Sequence, residues 1–264
     1  MNSIHTNETL WLRRFMIRAT MALLLSTFSV MVSAQPQPKP SPTPRRPLAK
    51  PVNGARNFDQ FAQRDASARL IAAAGTRVVV DPGDFYGKGE ANYKAGKYEA
   101  AVKDLREAVR LSPDWEDPHY VLALALAELG KLPEAIDEFK QVVRLAIKDE
   151  PKILALYNMG NAYSDIGQYQ QAIESYQAAI KLNSTLSKPH NNLGLAYAAS
   201  NRLADALAEF QQAVKLKPDY AEAHYNLGVA YLQQGRKNEA RVEQQILMKL
   251  NSDMAAKLDA LIKK

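Results

Sequence analysis

The chain has 264 residues, no cysteine and a formal net charge of +6. Without a thiol, disulfides, thiolate catalysis, cysteine-based metal sites and a lipid-modified N-terminal cysteine are all excluded. The charge is uneven: residues 1–34 carry +2, residues 35–56 carry +5, and the remainder is −1, so most of the chain offers no basic surface for nucleic acid.

Residues 1–34 read as a secretory signal peptide. Arg13, Arg14 and Arg18 give a positive start, and ATMALLLSTFSVMV over 19–32 gives an apolar middle. Val32-Ser33-Ala34 fits the small-x-small rule, which predicts a cut after Ala34 and a periplasmic or secreted protein. The apolar run is shorter than the ~20 residues that a bilayer span needs. The alternative is an uncleaved inner-membrane anchor with the rest facing the periplasm.

Residues 35–56 form a Pro-rich basic linker. Alternating prolines from Gln35 to Val52 favour polyproline II, which has no core to bury. Lys39, Arg45, Arg46, Lys50 and Arg56 have no acid among them. They suit weak contact with an anionic membrane surface or a wall polymer; the alternative is a solubilising spacer.

Residues 57–81 are expected to be an N-terminal helix and a connector. Phe58, Phe61, Ala62, Ala66 and Leu70 fall at helical spacing, which predicts a helix over 57–74 ending at Gly75. It is expected to dock on the unit that follows. Arg77 to Val80 is β-prone but is read as an extended connector without a partner strand in this chain.

From residue 82 onward one pattern recurs with a spacing of 34 residues. The stretch 187–220 shows it most fully: Leu193, Gly194 and Tyr197 in a first helix, Asn201 in a turn, Ala206 and Phe210 in a second, and Pro218 as the stop. Gly194 corresponds to Gly160 upstream and Gly228 downstream, Tyr197 to Tyr163 and Tyr231, and Ala206 to Ala172 and Ala240. The units are 82–115, 116–149, 153–186, 187–220 and 221–254, and residues 255–264 make a C-terminal capping helix. Small residues at position 8 (Gly89, Ala123, Gly160, Gly194, Gly228) and position 20 (Ala101, Ala135, Ala172, Ala206, Ala240) let helices approach, and larger ones fill the space between. One helix pair cannot bury its apolar face alone, whereas a stack of pairs makes a continuous core.

On these residues the chain resembles the tetratricopeptide repeat (TPR) proteins over about two thirds of its length. The resemblance implies an all-α fold: a right-handed superhelical solenoid of antiparallel helix pairs, with the N-terminal and C-terminal helices at its ends. Three departures stand out. Lys88 and Asn92 occupy apolar positions in the first unit. Glu150, Pro151 and Lys152 are extra residues between the second and third units, which predicts a longer loop there. Gln244 replaces the large residue at position 24 of the fifth unit.

The resemblance also implies a concave groove lined by positions 2, 5, 6, 9, 12 and 13 of the first helices. Position 5 then supplies Tyr120, Tyr157, Asn191 and Tyr225; position 6 supplies Asn158, Asn192 and Asn226; Asn161 stands at position 9. This row is similar to the asparagine ladders with which some family members hold an extended peptide backbone. An amide side chain both donates and accepts, and tyrosine adds stiff amphipathic area. His119, His190 and His224, all at position 4, are too far apart for a metal site and are read as structural. No phosphate loop, Gly-x-Ser-x-Gly or His-Glu-x-x-His is present. The chain therefore reads as a cofactor-free, non-enzymatic scaffold for a protein or peptide partner. The alternatives are a tethered structural envelope protein and a non-catalytic subunit of an envelope enzyme complex.

Overall fold

The structure, a computed structural model, describes residues 70–73, 76–79 and 81–264. The signal peptide, the basic linker and residues 57–69 of the expected N-terminal helix lie outside that range.

The described chain begins with a hairpin rather than a helix. Strands β1 (Leu70–Ala73) and β2 (Thr76–Val79) pair antiparallel, with Leu70 opposite Val79 and Ala73 opposite Thr76. This corrects two expectations: residues 70–73 are not helical, and the β-prone run does find a partner strand within the chain. Thr76, Val78, Val79 and Ile71 are β-branched and stiff, which suits a pleated pair better than a helix.

Eleven helices follow, in five pairs and a cap. They are α1 (Pro82–Lys94), α2 (Tyr98–Leu111), α3 (Glu116–Glu128), α4 (Leu132–Leu145), α5 (Asp149–Asp165), α6 (Tyr169–Leu182), α7 (Ser187–Ala199), α8 (Leu203–Leu216), α9 (Ala221–Gln233), α10 (Lys237–Leu250) and α11 (Ser252–Ile262). Each helix packs on the next in sequence, and the odd-numbered helices also touch one another. Asp81 starts the array: its Oδ1 accepts from the Gly83 N–H at 2.8 Å, just ahead of Pro82.

The turn inside each pair has one geometry. Position 15 takes a left-handed backbone at Gly96, Gly130, Gly167 and Gly235 (φ 74–79°) and at Asn201 (φ 60°). Asparagine is among the few residues that adopt this region at modest cost.

The core is built from the repeat positions. Leu105, Phe139, Tyr176 and Phe210 are fully buried, as are Ala101, Ala135, Ala172, Ala206 and Ala240. Gly160 shows why position 8 is small, since a Cβ there would stand 2.6 Å from the Tyr176 ring. Helix α1 is thinly covered, with Gly89 its one buried residue, and Asn92 serves polar contact instead: its Nδ2 donates to Asp104 Oδ2 at 2.8 Å.

The three extra residues do not form a longer loop. They belong to the first turn of α5, which is lengthened to 17 residues. Pro151 is tolerated because N–H groups in a first turn have no intrahelical acceptor, and Asp149 and Glu150 complement the helix dipole.

Candidate functional site

The odd-numbered helices α3, α5, α7 and α9 carry all eight expected site residues, one set per turn of the stack. The structure buries seven of them: Tyr120, Asn158, Asn161, Asn191, Asn192, Tyr225 and Asn226. Tyr157 is half-buried. The resemblance implies that they line a groove; in the structure most of the row bonds to itself.

The connections cross from one repeat to the next. Asn158 Nδ2 donates to Tyr120 Oη at 3.1 Å. Asn192 Nδ2 donates to Asn161 Oδ1 at 2.9 Å and to Tyr157 Oη at 3.1 Å. Asn191 Nδ2 donates to Asn192 Oδ1 at 3.2 Å, and Asn226 Nδ2 donates to Asn191 Oδ1 at 2.8 Å. Tyr176 on α6 closes the cluster by donating to Asn161 Oδ1 at 2.7 Å. Three repeats are thus joined through one continuous polar seam. In a low-dielectric interior such bonds reinforce one another and fix the relative register of the helices.

Burial raises the Tyr120 hydroxyl far above the ordinary tyrosine range, and the nearby Tyr93 adds to the effect. Burial alone pushes the Tyr225 hydroxyl up to about 12. Both hydroxyls are neutral at physiological pH. Three side-chain atoms on this face or beside it have no hydrogen-bond partner among the described residues: Asn161 Nδ2, Ser164 Oγ and Asn226 Oδ1.

The three histidines do what the sequence suggested and more. His119 Nδ1 lies 2.6 Å from Glu138 Oε2, and Nε2 lies 2.9 Å from the Pro113 carbonyl. His190 meets Glu209 and the Ser184 carbonyl in the same way, and His224 meets Glu243 and the Pro218 carbonyl. Each ring nitrogen thus faces an oxygen, a carboxylate on one side and a backbone carbonyl on the other. Each clasp ties the first helix of a pair to its own second helix and to the turn before it. The glutamates were not singled out from the sequence, although a His…Glu spacing of 19 residues recurs in the three repeats that carry it. Among the described residues no group of three or more His, Cys, Asp or Glu side chains could hold a metal ion.

A stack of helix pairs, each packed on the next, is an α-solenoid. Family models described as "TPR repeat" match residues 89–130, 160–201 and 196–235, and one described as "Tetratricopeptide repeat" matches 221–253. These cover more than half of the chain, and the chain belongs to the tetratricopeptide repeat family. It is 32% identical over 99 residues to the small glutamine-rich tetratricopeptide repeat-containing protein 2 of Mycosarcoma maydis, which covers 36% of this chain and 26% of that protein. The chain therefore spans about a quarter of that relative. Among solved structures it is similar to the crystal structure of MamA protein, with TM-score 0.59 and 23% identity over 66% of this chain and 94% of that one. It is also similar to YrrB, described as a TPR protein with an unusual peptide-binding site, with TM-score 0.58 and 20% identity over 68% of this chain and 92% of that one. These structural likenesses establish the fold. Repeats of this family serve as protein-interaction scaffolds.

Proposed function

We propose that this chain is a non-enzymatic scaffold of the cell envelope that holds an extended peptide or partner segment along its first-helix face. The observation that carries the reading is the self-bonded row of Tyr and Asn side chains on the first helices, with Tyr157 half-buried and Lys188 exposed at positions 5 and 2 of that face. The family turns these positions toward the concave side. Asn161 Nδ2, Ser164 Oγ and Asn226 Oδ1 are closed to solvent and have no hydrogen-bond partner among the described residues. A buried polar atom left without a partner costs about 1–3 kcal/mol. The asparagines already bonded to one another hold the face in shape, so little ordering is needed on binding. YrrB, similar in fold, is described as having a peptide-binding site.

The envelope location rests on the N-terminal sequence. Among the described residues no helix is long and apolar enough to cross a membrane. N-terminal sequencing of the native protein tests it: a first residue of Gln35 is expected, and retention of Met1 favours the anchored form.

Photo-cross-linking tests the scaffold reading. Lys188 is exposed at groove position 2 of the fourth repeat, and Ala208 is exposed on the following second helix. A photo-reactive residue at position 188 is expected to give one dominant adduct in native envelopes, and at position 208 none. Equal labelling from both positions would overturn the reading.

A further inference from the structure

The last helix pair breaks the repeat pattern on its outer side. Positions 22 and 26 are Lys103 and Glu107, Asp137 and Gln141, Glu174 and Ala178, and Ala208 and Gln212 in the first four repeats, but Val242 and Ile246 in the fifth. Val242 is 54% exposed and Leu250 38% exposed. With Gln245, Ile246 and Lys249 they line one surface hollow along α10. A branched apolar stripe on a solvent face, confined to the one repeat that departs from the rule, marks an interaction surface.

The stripe has a definite grammar. Glu239, Val242, Ile246 and Lys249 are spaced three, four and three residues apart, the seam spacing of two packed helices. The order is acid, apolar, apolar, base. Turned end for end and laid on itself, the seam is its own complement. About a two-fold axis at residue 244, Val242 meets Ile246 of the partner subunit, and Glu239 meets Lys249 of the partner subunit at both ends. Such a surface is self-complementary in the isologous sense. A parallel arrangement would set glutamate against glutamate and lysine against lysine, so the charges choose the direction. Lys249 makes no salt bridge among the described residues, and Glu239 holds Arg236 through Oε1 at 2.8 Å, leaving Oε2 for a second cation.

We infer that a second copy of this chain docks on α10, forming an antiparallel two-fold dimer through Glu239, Val242, Ile246 and Lys249. The seam from Glu239 to Lys249 is ~15 Å long at 1.5 Å per residue. A contact of that length stands at the small end of specific interfaces. Pairing through this outer face leaves the first-helix seam of each copy clear and gives two sites on one particle, independently of what binds there.

Sedimentation velocity of the purified chain over a concentration series tests this. The wild type is expected to pass from monomer to dimer, and Ile246→Glu to weaken the dimer roughly tenfold or more with unchanged helicity. Glu239→Lys and Lys249→Glu are each expected to weaken it, and the double exchange Glu239→Lys/Lys249→Glu to recover most of the loss. The Glu239→Lys variant and the double variant both lose the Arg236 pair, so recovery reads only the contact between copies. A wild type that stays monomeric, self-association untouched by Ile246→Glu, or a double exchange that recovers nothing would each overturn the proposal.

Discussion

Leu258 of the capping helix fills the space over Gly228. A Cβ added at Gly228 would stand 2.5 Å from Leu258 Cδ2, and Leu258 is fully buried. At Gly89, Gly160 and Gly194 that space is taken by Leu105, Tyr176 and Phe210, each from position 24 of the same repeat. In the fifth repeat position 24 is Gln244, which cannot play this part. Helix α11 therefore completes the last repeat by lending it a core residue.

Removing that residue should act on the whole C-terminal end. Leu258→Ala is expected to cost about 2–4 kcal/mol in urea unfolding, since it opens a cavity in a closed core. Gly228→Ala is expected to cost about 1–3 kcal/mol through overpacking. The two together should cost less than their sum, because the added methyl enters the space the leucine vacates. Full additivity would show that the contact is not the determining one.

Asn201 is the one non-glycine residue at position 15. Asn201→Gly is expected to change stability by a few tenths of a kcal/mol, whereas Asn201→Ala should cost about 1–2 kcal/mol for a left-handed backbone without a compensating side chain. Thermal melts of the two variants check this, and equal melting temperatures would contradict it.

The histidine clasps give a pH dependence with a definite sign. For His119, burial by itself lowers the ring's pKa, but the Glu138 hydrogen bond, the Pro113 carbonyl and the Glu138 charge outweigh it, against a small opposing effect of Arg144, and the net shift is upward. For His224, burial is likewise outweighed by Glu243 and the Pro218 carbonyl. A group whose folded pKa is raised stabilises the fold fully below its unfolded pKa of about 6.5 and loses that contribution as pH rises through the folded value. The melting temperature is therefore expected to fall between pH 6 and pH 8. His119→Gln/His224→Gln should be less stable at pH 6 and flatter across that window. An unchanged slope would remove the clasps as its cause.

The sequence disclosed the helix pairs because each position 8, 15, 20 and 24 answers to one steric demand repeated down the chain. It disclosed which helices carry Tyr120, Tyr157, Asn158, Asn161, Asn191, Asn192, Tyr225 and Asn226 for the same reason. What it did not disclose is that Asn192 reaches Tyr157 and Asn161 of the preceding repeat, because helical period describes a helix's own faces and not a neighbour's reach. Pro151 was misread because proline breaks a helix interior but is accepted in a first turn. Residues 70–73 were misread because the small residues Ala72 and Ala73 continue a helical stripe as readily as they occupy a strand. The Glu partners of His119, His190 and His224 were legible in principle, as a paired recurrence that a search along one helix does not see.

The polar seam holds residues of two kinds, those with every polar atom engaged and those without. Asn192 is fully engaged: it donates to Tyr157 and Asn161 and accepts from Asn191. Asn192→Ala strands buried groups in two repeats and is expected to cost about 1–3 kcal/mol. Asn226 donates to Asn191 but leaves its own Oδ1 without a partner. Asn226→Ala therefore also removes an unsatisfied acceptor, and its cost should fall below that of Asn192→Ala. If the row meets a peptide, Asn226→Ala should lower the yield of the adduct formed from position 188 by more than its loss of stability accounts for. Urea unfolding and adduct yield, measured on the same two variants, decide the matter. A stability loss for Asn226→Ala as large as that for Asn192→Ala, with adduct yield following stability alone, would make the row purely structural.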